Sequence, residues 1–99
     1  MALLEVYVGD GRAVTVYAGT RVQLSSISCP AKKVFVQAET DNGGIVVVGG
    51  STVVAALATR RGISLYARDD VLPLDIDDLN TVWLDSTVSG EGLTFVYLN

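Results

Sequence analysis

The sequence predicts an all-β fold, a small β-sandwich or barrel of about eight short, mostly antiparallel strands. Three observations carry that expectation. Apolar residues recur at every second position in short runs: Leu4, Val6 and Val8 against Glu5 and Tyr7, and Leu93, Phe95 and Tyr97 against Thr94, Val96 and Leu98. Turn residues punctuate these runs at intervals of about 8 to 12 residues. Asp41-Asn42-Gly43-Gly44 stands between Val-Phe-Val and Ile-Val-Val-Val, a loop able to accept positive φ between two pleat-forming flanks.

Taken in order, Leu4 to Val8 forms a first strand that should end at Gly9-Asp10-Gly11 and turn back as a hairpin. Ala13 to Ala18 is the expected partner, with Val14 and Val16 facing one way and Thr15 and Tyr17 the other. Arg21 to Leu24 reads as a third short strand. Ser25 to Ala31 is polar and contains Pro30, which lacks a backbone donor, so a loop or an edge is expected there. Lys33 to Gly50 then forms the central hairpin. Thr52 to Thr59 divides: Thr and Val favour a strand while Ala-Ala-Leu-Ala suits a helical turn, and the reading adopted is a strand. Gly62 introduces a strand at Ile63 to Tyr66, Ala67 to Asp70 turns out of it, and Val71 to Leu74 follows. Asp75 to Leu79 would make one helical turn capped by Asp75 or Asp77. Thr81 to Asp85 and Leu93 to Leu98 alternate as a last pair of strands joined by a Ser- and Gly-rich hairpin loop, Ser86 to Gly92.

At 99 residues the chain has room for one core, so residues 1–99 are expected to be a single β domain. Its apolar fraction is 49% with mean hydropathy +0.43, yet no run of about 18 apolar residues exists to make a membrane helix. Part of the apolar content is therefore assigned to contacts between subunits. A net charge of −4 argues against binding along a nucleic-acid backbone, which needs a basic face. Cys29 is the one cysteine, which excludes an intramolecular disulfide. The first residues lack a basic segment and their apolar run is broken by Glu5, so no signal peptide is expected and folding begins in the cytoplasm.

Reactive chemistry is sparse. With no histidine, acid–base and nucleophilic catalysis lack their commonest side chain. Ser25, Ser26 and Ser28 stand near Lys32 and Lys33 without a catalytic motif. Asp69, Asp70, Asp75, Asp77 and Asp78 offer oxygen ligands, but their spacing departs from that of an EF-hand, so a solvated or capping role is favoured over calcium. Asp75 with Asp85 or Glu91 would serve glycoside hydrolysis only across a cleft that short loops do not build. The Gly43-Gly44 and Gly49-Gly50-Ser51 pairs lack the lysine of a phosphate loop and read as turns. No enzyme activity and no cofactor are expected. Candidate interface residues are Arg60 and Arg61, whose guanidinium groups can fork onto carboxylates of a neighbouring chain, and Tyr66, Trp83 and Tyr97 as an aromatic platform. Solvated arginines and a half-buried sheet face are the plainer alternatives.

The order VQAETDNGGIVVVGG, GISL, DLNTVWLD and GEGLTFVY, from Lys33 to Asn99, resembles a group of small β-rich structural proteins of tailed bacteriophages and prophages. Ala67-Arg68-Asp69-Asp70 stands where that group would have a Gly-containing loop, and the first thirty residues lie outside the resemblance. The resemblance implies a virion component of the capsid surface, a decoration or cement protein. It further implies a homotrimer whose partner is the major capsid protein. A tail or fibre module that binds a host glycan or protein is the alternative.

Overall fold

The computed structural model describes residues 8–67 and 71–99. Among them the fold is all-β, with eight strands: β1 (Val8–Val14), β2 (Val22–Gln23), β3 (Lys33–Ala38), β4 (Val46–Gly49), β5 (Ile63–Leu65), β6 (Val71–Asp75), β7 (Trp83–Ser86) and β8 (Gly92–Leu98). They form two antiparallel four-stranded sheets in a sandwich-like arrangement, one ordered β1-β8-β3-β6 and the other β2-β7-β4-β5.

Period-two alternation builds the first sheet. In β3, Val34, Val36 and Ala38 are buried while Lys33, Phe35 and Gln37 are half-buried on the opposite face. In β8, Leu93 and Phe95 point inward and Thr94 and Val96 outward. The inward residues meet Val46, Val48, Leu65, Leu84, Leu79 and Val82 from the second sheet and its flanking turn, and these make the main core. β4 departs from alternation because Val46, Val47 and Val48 are all buried. Its second face is covered by the segment from Gly50 to Arg61, where Val53 and Ala55 pack on Val47 with Ile45 and Trp83 alongside.

Several sequence expectations are corrected. Gly9-Asp10-Gly11 does not turn; β1 runs straight through it, in register with β8 from Val8↔Leu98 to Val14↔Gly92. The glycines serve as space for aromatic rings. A Cβ at Gly11 would lie 2.5 Å from the Phe95 ring, and one at Gly9 would overlap Tyr97. The expected strand from Leu4 lies, apart from Val8, outside the described residues, and the partner strand expected at Ala13 to Ala18 is absent beyond Val14.

The central hairpin is also absent, since β3 belongs to one sheet and β4 to the other. Asp41 to Gly44 carries the chain between sheets, and neither Gly43 nor Gly44 has positive φ. The same holds for β7 and β8, which Ser86 to Gly92 connects across the sandwich. Thr52 to Thr59 is not a strand: it contains one isolated bridge, Val54↔Arg61, and a 3₁₀ turn at Leu57–Thr59. The helical turn expected near Asp75 falls at Leu79–Thr81, capped by Asp78, while Asp75 ends β6. The turn expected at Ala67 to Asp70 is described only at Ala67.

Candidate functional site

The outward face of the first sheet presents three rows of side chains across four strands, fixed by register. Val8, Leu98, Lys33 and Asp75 make one row, Asp10, Val96, Phe35 and Pro73 the next, and Arg12, Thr94, Gln37 and Val71 the third. Apolar groups occupy much of it. Val8 is 60% exposed, Val71 55% and Val96 41%, with Phe35 half-buried between them. Asp10, Arg12, Phe35, Gln37, Val71 and Val96 line an open groove of about 640 Å³ on this face.

Ion pairs flank the apolar strip. Arg12 donates from Nε to Glu39 Oε2 at 2.7 Å and from Nη2 to Oε1 at 3.1 Å, the two-pronged geometry that fixes a guanidinium in plane. The Glu39 carboxylate holds Arg12 firmly protonated, raising its pKa through the hydrogen bond and then through charge. At the other end Lys33 Nζ lies 3.6 Å from Asp75 and 5.8 Å from the centroid of Phe35. An apolar centre with charged groups at its margin is the layout of a protein contact surface.

The residues singled out from sequence are scattered. Arg60 folds back on its own loop, donating from Nε to the Ala55 carbonyl at 2.9 Å. Arg61 is exposed and bridges Val54 through its backbone, with N–H donating to Val54 O at 2.9 Å. Tyr66 is exposed just beyond β5. Trp83 is half-buried on the outer face of the second sheet, against Val47, Val53 and Ala55. Tyr97 turns into the sandwich beside Phe95, ring centroids 6.3 Å apart. Trp83 and Tyr97 thus belong to different sheets and share no platform.

Carboxylates tie the loops instead of meeting one another. Asp85, 2% exposed on β7, accepts from Gly19 N–H and Ser86 N–H at Oδ1 and from Ala55 N–H at Oδ2, each at 2.9 Å. One side chain thereby anchors two loops that are distant in sequence. Glu91 accepts from the N–H groups of Gly43 and Gly44, the latter at 2.7 Å. Asp78 accepts from Asn80 N–H and Cys29 N–H at 2.9 Å and from Ser28 Oγ at 2.6 Å. These bonds, the Asn80 one foremost, lower its pKa below the ordinary carboxylate value. Asp69 and Asp70 lie outside the described residues, and among the described ones no three His, Cys, Asp or Glu side chains gather as metal ligands.

Sequence reasoning missed Phe35, Val71 and Val96. A usable signal was present in Phe35 and Val96: each is a large apolar residue on the strand phase that alternation assigns to water. No known protein family, curated protein or solved structure matches this chain.

Proposed function

We propose that this chain is a non-enzymatic structural protein of a tailed-phage virion, a decoration or cement protein that attaches to the head through the outward face of the β1-β8-β3-β6 sheet. The observation that carries the reading is the apolar strip of Phe35, Val71, Pro73 and Val96 on an open sheet face, bounded by Arg12–Glu39 and Lys33–Asp75. The resemblance of Lys33 to Asn99 to small virion proteins supplies the partner, the major capsid protein. Such a role needs shape and apolar area and no reactive group, because many modest contacts are summed over a symmetric shell.

The test uses purified protein and phage heads that lack it. Saturable binding that raises the heat resistance of the heads supports the reading, and Val96→Glu, a change at an exposed position, should abolish binding while leaving the fold intact. Binding to host cells or purified surface glycan, with no binding to heads at saturating concentration, would replace it with the tail-module reading.

A further inference from the structure

The four sheet edges are unequal. β2 has two residues and β5 three, too short to template another strand. β6 is longer but carries Pro73. Ile76 N–H donates to Lys32 O, which sets the hydrogen-bonding phase of the β3–β6 ladder so that Val71, Pro73 and Asp75 direct their backbone groups to the open side. Proline has no N–H to offer there, so this edge is blunted. β1 remains: seven residues, no proline, and no strand on its far side among the described residues.

The phase of β1 is equally defined. Thr15 N–H donates to Glu91 O at 3.0 Å, continuing the β1–β8 register, so the odd-numbered residues bond β8. Val8, Asp10, Arg12 and Val14 therefore direct their N–H and C=O groups outward. An antiparallel strand added here must place its own outward residues opposite these four. For a second copy of β1 related by a two-fold axis, three such registers pair at least five residues of each strand. Centring on Asp10 sets Asp10 against Asp10, and centring on Arg12 sets Arg12 against Arg12. Centring on Gly11 sets Asp10 against Arg12 twice, with Val8 against Val14 at both ends. Like charges directly opposite are destabilising and opposite charges stabilising, so the sequence of β1 selects one register.

We propose that β1 is the seam of a two-fold homodimer in which the β1 strands of two copies pair antiparallel, Gly11 opposite Gly11 and Asp10 opposite Arg12 of the second copy. The two four-stranded sheets become one sheet of eight, with two Asp10–Arg12 pairs on the seam between their outer apolar strips. Each Arg12 keeps Glu39 on its own chain and gains Asp10 of the other. This pair is a property of the protein in solution; loss of head binding would leave it untouched, and loss of the pair would leave head binding to be judged on its own.

The experiment measures self-association of the full chain by sedimentation and native mass spectrometry, with three charge variants. Asp10→Arg alone and Arg12→Asp alone should each weaken dimerisation at least tenfold, while an equimolar mixture of the two should dimerise and so should the doubly swapped chain. Hydrogen exchange of the unmodified protein gives an independent reading that no folding defect can confuse. Raising the concentration through the dissociation range should protect the amides of Val8, Asp10, Arg12 and Val14 and leave those of Gly9, Gly11 and Ala13 unchanged. A monomer at every concentration tested, a trimer, a dimer indifferent to both charges, or unchanged exchange at the four even-numbered amides would each overturn the proposal.

Discussion

Replacing Asp85 by alanine should destabilise the domain by about 4 kcal/mol, a large loss for one carboxylate remote from the apolar strip. The carboxylate is 2% exposed and accepts three backbone N–H groups, from Gly19, Ala55 and Ser86. Gly19 is exposed and can turn to water, so its loss is small. Ala55 and Ser86 are buried, and each orphaned buried donor costs about 1–3 kcal/mol, giving roughly 2–6 for the pair. Asp85→Asn should cost less, since its carbonyl oxygen retains one acceptor site while its amide confronts another donor. The assay is urea unfolding followed both by circular dichroism and by fluorescence of Trp83. That residue lies two positions from Asp85 on the same strand face and packs on Ala55, so it reports the loop directly. An alanine variant within about 0.5 kcal/mol of the unmodified protein by both probes would refute the reasoning, because it would mean these amides find other partners at no cost.

Gly11→Ala should cost about 1–3 kcal/mol by forcing Phe95 off its seat, and Phe95→Leu in the same chain should recover part of that; strictly additive losses in chemical denaturation would argue against the contact. Thr15→Val should stabilise by about 1 kcal/mol, read as a rise in melting temperature of about 4–8 °C, because the Thr15 hydroxyl is fully buried with no hydrogen-bond partner among the described residues; a fall would show that the hydroxyl is satisfied. The Asp78 carboxyl should titrate below its ordinary value of 3.8 by nuclear magnetic resonance. Its folded pKa is depressed, so its stabilising contribution is complete above the ordinary carboxylate range and is lost as pH falls through the lower folded value; titration at or above 3.8 would contradict the bonds drawn to it.

Strand content was legible because alternation and β-branched composition are local properties, and β3, β5, β6 and β8 fall close to where the runs beginning at Lys33, Ile63 to Tyr66, Val71 to Leu74 and Leu93 to Leu98 place them. Pairing was not legible. Glycine marks a turn when the chain needs its conformational freedom and marks a void when a ring needs its missing side chain. Gly9 and Gly11 are the second kind, and Phe95 and Tyr97, which explain them, stand more than eighty residues away in the sequence. Short loops at Asp41–Gly44 and Ser86–Gly92 imitate hairpins because stepping between packed sheets takes a similar length of chain. Alternation groups Asp85 with Trp83, opposite Val82 and Leu84, and the structure keeps that grouping. What buries Asp85 is the Gly50 to Arg61 segment laid over that face, a second layer that is a long-range property of the fold. The apolar strip was half legible in Phe35 and Val96; assembling it required the register that joins β3, β6 and β8.

The connections that switch sheets set the order in which the protein can be built. β1 pairs with β8, and β8 also lies between β1 and β3, so the first of the described strands must wait for the last of them before it has a neighbour. During synthesis β1 therefore emerges as an unpaired segment, and the first sheet cannot close until β8 has left the ribosome. Loop closure over almost the whole described chain is slow, in the millisecond-to-second range of all-β sandwiches, and it exposes β1 to other newly made chains throughout that interval.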